Sequence, residues 1–303
     1  MSTSSISSLT RASAPPSAGR ARVDWRAVRH QLKQNPLLLV GLVVLIFFLL
    51  IGIFAESLAP HAPRGGEAQN MAKLRQPPDA ENPFGTDQLG RDILSRLLYG
   101  TRLTIPSGFL VILFGSAIGS AVGAIAGYLG GSWDELLMRV TELFMAFPTI
   151  ILAMAVAAAL GPSTRNAIIA LTIAWWPFYA RMMRGLVLSV KPNEFVEATR
   201  SIGASRPYIL FRTITPNAIA PIIVMMTLDI GNAILVFAGL SFLGLGPDPT
   251  IPEWGQMVAS SIDYFAKWWM WFYPGMSIAL LVMALNFIGD GVRDITDPRL
   301  RKM

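Results

Sequence analysis

Few residues in this 303-residue chain are of the types that carry out catalysis or bind metals. There is no cysteine, which excludes disulfides, thiol catalysis and cysteine–metal sites, and the only histidines are His30 and His61. Both histidines lie in polar sequence flanking the first long apolar run, so a histidine metal cluster is not expected. No Gly-x-x-x-x-Gly-Lys-Ser/Thr phosphate loop occurs, and no nucleophile–base pair is recognisable. The sequence therefore predicts no enzyme, no metal or cofactor on this chain, and no ATP binding by the chain itself.

The ionisable residues inside apolar stretches are the first candidates for function, because a charge within a membrane is costly to maintain. Asp229, with Asn232 close by, falls near the middle of a predicted membrane span. It could line a transport path or gate, or it could be a structural acid bonded to neighbouring helices. Glu142 is predicted to be structural or interfacial, and Arg181 and Arg184 are predicted to extend to the inner membrane surface.

The elements that must position these residues are membrane helices. The chain is 53% hydrophobic and only 15% charged, which indicates a polytopic, all-α integral membrane protein. Six transmembrane helices are predicted: Leu37–Ala55, Leu103–Leu129, Leu136–Leu160, Asn166–Val190, Asn217–Leu243 and Trp268–Gly289.

Lys and Arg residues orient the predicted spans. They are more frequent in the segments that lie on the same side as the amino terminus, which places both termini and the polar stretch before Pro216 in the cytoplasm. The net charge of +6 is explained by this bias, so no nucleic acid partner is predicted. The predicted organisation is a cytoplasmic tail and amphipathic helix (1–35), a first span (36–56), an extracytoplasmic segment (57–101), a five-helix core (102–290) with a cytoplasmic loop (191–216), and a cytoplasmic tail (291–303).

Glycines recur at every fourth position of the second predicted span, at Gly115, Gly119, Gly123 and Gly127. Small residues on one helical face allow another helix backbone to approach closely. The pattern predicts tight packing, either within this chain or against a second chain.

The stretch EFVEATRSIGASRPYILFRTITP, from Glu194 to Pro216, is a charged segment between two apolar ones. Asn193 can cap a helix, and Gly203 can end it in the left-handed conformation. Four residues share one face of this helix, and Glu197 lies on another; the four are Phe195, Ala198, Thr199 and Ile202. A helix of about ten residues is too short to be stable alone in water. It is either a connector that lies on the bilayer or a helix that docks on a partner.

Several motifs in this sequence resemble those of ABC importer permeases. Glu197-Ala198-Thr199, followed by Gly203 and Pro216, is similar to the EAA loop of that family, although Thr199 replaces the second alanine and Thr213 and Thr215 replace an aliphatic pair. The segments FGTDQLGRDILSRLLYGTR, GYLGGSWDELLMR, LSFLGLG and GDGVRDITDPRLR resemble the peptide/nickel branch, and more narrowly the C-type subunit of dipeptide and oligopeptide importers. The resemblance extends over residues 37–301.

The resemblance implies a MetI-like type 1 permease core in the cell (inner) membrane of a bacterium or archaeon. It implies that the short helix that starts after Asn193 and is stopped by Gly203 is a coupling helix held in a groove of a cytoplasmic ATPase. The implied partners are a second homologous permease subunit, two ATPase subunits that carry ATP and Mg, an extracytoplasmic binding protein and membrane lipid. The expected cargo is a di- or oligopeptide.

Three alternatives to peptide import remain within the family: nickel complexes, glutathione-like peptides and oligosaccharides. A different class is a proton-coupled secondary transporter, which needs titratable groups within the membrane. Only Asp229 is well placed for that role, and the helix that ends at Gly203 would have no explanation.

Overall fold

The computed structural model describes residues 35–61 and 69–296, and in this part of the chain regular structure is helical apart from an isolated antiparallel bridge between Thr86 and Asp92. Most of the two predicted tails, 1–35 and 291–303, falls outside the described residues, at positions 1–34 and 297–303. The α-helices are α1 (Pro36–Ile53), α2 (Ala55–Leu58), α3 (Ile93–Leu129), α4 (Gly131–Met145), α5 (Thr149–Leu160), α6 (Thr164–Val190), α7 (Glu194–Ser201), α8 (Arg206–Tyr208), α9 (Thr215–Phe242), α10 (Trp254–Ala259) and α11 (Trp268–Thr296). Short 3₁₀ turns occupy Met71–Lys73 and Ile262–Tyr264, and a π-helix, Ile209–Ile214, joins α8 to α9.

Membrane-spanning capacity is concentrated in long apolar helices. By length and composition, four described helices can cross a membrane: α1, α3, the continuous helix Arg206–Phe242, and α11. The pair α4 and α5 qualifies together as one broken span. Helix α6 has 27 residues, but it carries three arginines and is not among these candidates. The predicted all-α membrane architecture is confirmed.

The predicted third span, Leu136–Leu160, is wrong as a single straight helix. It consists of α4 and α5, which meet at an angle of 87°. The break falls just before Pro148, which has no backbone N–H to donate and which disfavours helical backbone at Phe147. The apolar run is continuous through this point, so hydropathy alone does not reveal the bend.

Three helices are longer than predicted. Helix α3 begins at Ile93 rather than Leu103, after Asp92 accepts a hydrogen bond of 2.7 Å from the Ser95 N–H. The helix that contains the fifth predicted span, Asn217–Leu243, begins at Arg206, in agreement with the helix start that Ser205 and Pro207 predict, and α11 extends to Thr296, into the stretch predicted as a tail. In each case the added turns are less apolar than the rest, so the helix extends beyond its hydrophobic part.

The glycine-rich face of α3 packs against α6 within the same chain. A Cβ added at Gly119 would lie 2.2 Å from the Trp176 carbonyl oxygen, and one added at Gly123 would lie 2.1 Å from the Ala180 carbonyl oxygen. Only glycine permits this backbone approach. The predicted tight packing is therefore intramolecular. It makes α3 and α6 a closely packed pair, and this packing fixes the position of the residues on α6.

Candidate functional site

The short helix α7 has the end predicted for it. Gly203 has φ of 83°, its N–H donates to the Arg200 carbonyl at 3.0 Å, and the Ala204 N–H donates to the Thr199 carbonyl at 3.4 Å. These two bonds form a Schellman motif, which requires a left-handed residue at the position of Gly203. Asn193 lies at the N-cap but its side chain makes no capping hydrogen bond, and the helix has eight residues.

Helix α7 has one face buried in its own chain and another exposed. Val196 is fully buried in a cluster that includes Val187 and Ile209. The apolar face predicted from the sequence is instead turned outward: Phe195 is 43% exposed and Ile202 is 83% exposed. Ala198, Glu197 and Thr199 complete the predicted set; Ala198 and Glu197 are exposed and Thr199 is partly so.

Sequence reasoning missed Val196 as the anchor of α7. The available signal was an apolar residue between Phe195 and Glu197, on a different face from Ile202. Its burial leaves the outward face free without detaching the helix from the fold.

A turn at Gly203 separates α7 from the next helix, and that helix continues into the membrane without a break. Residues Arg206–Phe242 form one continuous helix, with a π-helical stretch at Ile209–Ile214. Ile209 and Ile214 are buried in the cluster that contains Val196. Side-chain packing thus joins α7 directly to the base of α9. π-Helical insertions of this kind are rare and are frequently found at functional sites.

Asp229 joins α9 to α6. The Tyr179 hydroxyl donates a hydrogen bond of 2.8 Å to one carboxylate oxygen of Asp229. Tyr179 is fully buried, whereas Asp229 is half-buried and Asn232, almost one helical turn further, is exposed. No ion pair with Asp229 occurs among the described residues. Asp229 therefore combines a structural hydrogen bond with access to the surface of the chain.

The other ionisable residues predicted near the membrane have different surroundings. Glu142 is exposed and lies 3.6 Å from Arg139 on the same helix. The Arg184 guanidinium binds both carboxylate oxygens of Asp134, at 2.6 and 2.7 Å, which ties α6 to α4. Arg184 therefore has a structural contact in addition to its predicted extension to the inner membrane surface, which stays a prediction. Arg181 is exposed.

A buried charge cluster precedes α3. Arg91 contacts Asp87 at 2.6 Å, and Arg96 contacts the same carboxylate at 3.6 Å. Both guanidiniums also donate to the carbonyl of Pro249, at 3.2 and 3.3 Å. These contacts form a local charge network, and they also fasten the loop after α9 to the start of α3, a long-range role with no signal in the local sequence.

Glu253 is a buried acid that sequence reasoning missed. It caps α10 by accepting hydrogen bonds from the Gly255 and Gln256 N–H groups, at 3.0 and 2.8 Å, and it accepts one from the Thr104 hydroxyl at 3.2 Å. Burial raises the pKa of this carboxyl, and the hydrogen bonds from the two N–H groups oppose that rise. Within residues 35–61 and 69–296, no group of three or more His, Cys, Asp or Glu is placed to hold a metal ion.

Two family models match the chain. Residues 119–302 match the binding-protein-dependent transport system inner membrane component, and residues 24–78 match the N-terminal TM domain of oligopeptide transport permease C. Together they cover most of the chain, including α7, α9 and α11.

Relatives of known name are similar over nearly their whole length. The dipeptide transport system permease protein DppC of Alkalihalophilus pseudofirmus is 42% identical over 91% of this chain and 90% of its own. The probable D,D-dipeptide transport system permease protein DdpC of Escherichia coli K12 is 40% identical over 92% and 91%. The glutathione transport system permease protein GsiD of Escherichia coli O6:K15:H31 is 38% identical over 93% of each chain.

The fold also matches solved structures. In the native crystal form of the inward-facing MetNI methionine ABC transporter, a chain superposes with a TM-score of 0.56 at 22% identity, over 68% of this chain and 98% of that one. A selenomethionine-soaked form gives a TM-score of 0.54 at 23% identity, over 67% and 97%. At this identity the likeness establishes the fold alone.

Proposed function

The chain belongs to the family of binding-protein-dependent transport system inner membrane components, and from this premise we propose that it forms half of the translocation path of an ABC importer for peptides. A second homologous permease subunit forms the other half. Two ATPase subunits on the cytoplasmic side bind ATP and Mg and drive the cycle. A binding protein on the outer side delivers the substrate, and this chain itself does not bind ATP.

Peptides are the favoured cargo because the relatives reported above are named for dipeptide, D,D-dipeptide and glutathione transport. Nickel complexes and oligosaccharides have no such support from these names. A proton-coupled secondary transporter is disfavoured by the family match, and it would also leave α7 without a role.

The single observation that carries the coupling role is the two-sided burial of α7. Val196 anchors the helix in its own chain, while Phe195 and Ile202 present apolar side chains to the outside. An eight-residue helix gains order when its apolar face enters a groove. We therefore assign the outward face to the ATPase groove, with Ala198 and Thr199 allowing close approach.

Movement of α7 would be passed to α9, because the two are connected by packed and continuous helical structure. Since α7 is packed against the π-helical stretch Ile209–Ile214, and since this stretch continues into α9, a displacement of α7 is transmitted to the helix that carries Asp229. ATP-driven closure of the two ATPases would thereby move α9 relative to its counterpart in the second permease. Movement of this kind exposes the path alternately to each side of the membrane.

Asp229 and Asn232 are the proposed path or gate residues. A partly exposed carboxylate in a membrane helix needs water or a polar partner, since lipid offers neither. Tyr179 occupies one carboxylate oxygen. Trp175 of the same helix is a further hydrogen-bond partner of this carboxylate, whereas Asn232 is exposed. We infer from the exposed Asn232 and the partly exposed Asp229 that this surface faces a water-filled passage or the second subunit. The distribution of Lys and Arg supports a cytoplasmic position for both termini, in the cell (inner) membrane of a bacterium or archaeon.

Cross-linking of the assembled transporter tests the coupling role directly. Single cysteines at Thr199 and Ile202 are expected to cross-link to an ATPase subunit, and the native chain has no cysteine to interfere. A cysteine at Val196 is the matched control, because this position is buried and should not react. Cross-links confined to lipid-facing reagents at both outward positions would make α7 a surface connector and remove its coupling role.

A further inference from the structure

A cavity of about 410 Å³ lies beside α7 and is bordered by basic side chains. Three cations line it: Lys191, Arg200 and Arg206. The remaining lining residues carry no carboxylate, and they include Tyr128 and Leu129 at the end of α3. The cavity therefore has a concentrated positive charge without a compensating acid in its wall.

The three cations differ in their hydrogen bonds to the rest of the chain. The Lys191 ammonium donates to the Tyr128 carbonyl at 2.8 Å, which satisfies an unpaired carbonyl at the end of α3. The guanidinium groups of Arg200 and Arg206 make no hydrogen bond or ion pair with any other described residue. Each guanidinium carries five N–H donors and a permanent charge. Both residues are exposed, so water screens their mutual repulsion, and together they form a site that attracts an anion.

Arg200 is directed away from the face assigned to the ATPase. With 3.6 residues per turn, Arg200 lies about 40° around α7 from buried Val196 and about 150° from the middle of the outward face. Phe195 and Ile202 mark that outward face. An ATPase bound there would not reach the cavity with its own carboxylates by the same contact, so the anion must come from elsewhere.

The position of the cavity indicates where the anion comes from. Its wall contains the last residues of α3, a helix able to span the membrane, and Lys191, directly after α6, which packs along α3; the cavity therefore lies at the end of a membrane helix. Phosphate groups of the inner leaflet occur at this depth, and the planar guanidinium fork suits phosphate oxygens. We propose that Arg200 and Arg206 bind the phosphate of an anionic phospholipid, which fixes the α7–α8 loop to the membrane surface. The membrane depth assumed here rests on the orientation given under the proposed function.

The test is a lipid titration of the complete transporter, followed by native mass spectrometry without nucleotide or peptide. The probes are phosphatidylglycerol, phosphatidylcholine and inorganic phosphate. We expect phosphatidylglycerol to bind the wild type in preference to phosphatidylcholine. Arg200→Gln and Arg206→Gln should each weaken this binding about five-fold, and the double variant about 25-fold. The matched control is the double variant Arg181→Gln with Arg212→Gln, which removes two exposed charges outside the cavity and should bind as the wild type does.

Each other outcome overturns the proposal. Equal binding by the cavity variants, or an equal loss in the control, would mean that the cavity does not bind lipid specifically. Displacement of phosphatidylglycerol by inorganic phosphate would assign the site to a free anion, and cross-linking of cysteine at Arg206 to an ATPase would assign it to a protein carboxylate. If the double variant fails to assemble, the single variants and the charge-conserving Arg206→Lys, which should retain most of the binding, decide the question. Because no hydrolysis is measured, loss of the coupling role of α7 would leave the lipid result unaffected.

Discussion

The Tyr179 hydroxyl and the Asp229 carboxylate are joined by a hydrogen bond of 2.8 Å, and this bond connects α6 to α9. Tyr179 belongs to the helix that is packed without a gap against the glycines of α3. Asp229 belongs to the helix that continues from the base of α7. The bond therefore joins a closely packed pair of helices to the helix expected to move. Its breaking or forming during that movement would fit the gate role proposed for Asp229.

Replacing Asp229 tests that role. Asp229→Leu removes both the acceptor for Tyr179 and the polar group at the surface of α9, and we expect transport to fall at least about ten-fold, since a lost hydrogen bond to a charged group costs about 1.5–3 kcal/mol. Glu142→Gln should have a small effect, because Glu142 is exposed on α4. The measurement is peptide uptake into proteoliposomes that contain equal amounts of assembled transporter. Wild-type uptake by Asp229→Leu would remove this residue from the mechanism.

The glycine contacts between α3 and α6 predict opposite effects for two similar substitutions. Gly123→Ala places a methyl group against the Ala180 carbonyl, and overpacking of this kind costs about 1–3 kcal/mol. Gly185→Ala has open space around the new methyl group and should gain about 0.5–1 kcal/mol from helix propensity. Thermal unfolding in detergent measures both. Similar unfolding temperatures for the two variants would show that α3 and α6 do not approach as closely as described.

The outcome for α7 shows how far local sequence signals reach. Its end at Gly203 could be predicted, because a left-handed residue is needed there and glycine adopts that conformation without strain. Which side would be buried could not, because apolar residues occur on both sides and the decisive partner, Ile209, belongs to a later helix. Periodicity identifies faces, but only packing decides between them.

Other features were inaccessible for similar reasons. The bend before Pro148 interrupts an apolar run that hydropathy treats as continuous. The bonds from Arg91 and Arg96 to the Pro249 carbonyl connect residues far apart in the sequence. Intramolecular packing of the Gly115–Gly127 face became evident only with α6 in place. In each case the sequence shows the residue type, while the partner depends on tertiary contacts.

Two substitutions, one within α7 and one at the turn that ends it, test whether the helix couples the chain to an ATPase. Gly203→Val forces a β-branched residue into a left-handed conformation, which costs about 1–2 kcal/mol and disturbs the end of the helix. Glu197→Lys reverses a charge on the exposed surface without altering the Val196 anchor. Both variants should insert normally, yet ATP hydrolysis should no longer respond to the loaded binding protein, or ATPase subunits should be lost on purification. Normal coupling in both would contradict the proposed docking.

Glu253 predicts a pH dependence of stability with a defined sign. Burial raises its pKa above the ordinary value of 4.5, so between that value and the raised pKa the folded chain holds a proton that the unfolded chain releases. The unfolding free energy should therefore be highest below pH 4.5 as far as this group is concerned, and should fall as the pH rises through the raised pKa.

Glu253→Gln should remove this slope from unfolding temperatures measured across the acid and neutral range. The absolute stability of that variant is not the readout, since the glutamine amide cannot accept from Gln256 as the carboxylate does. Asp248 provides the contrasting control: the Thr250 hydroxyl and N–H hold its pKa below the ordinary 3.8, so its stabilising effect is present above that value and is lost only as the pH falls further. Asp248→Asn should thus change the slope only at the acid end of the curve, with an offset that does not vary with pH above 3.8. An unchanged slope in Glu253→Gln would mean that this carboxylate remains ionised within its cap, with the Gly255 and Gln256 N–H groups outweighing the effect of burial.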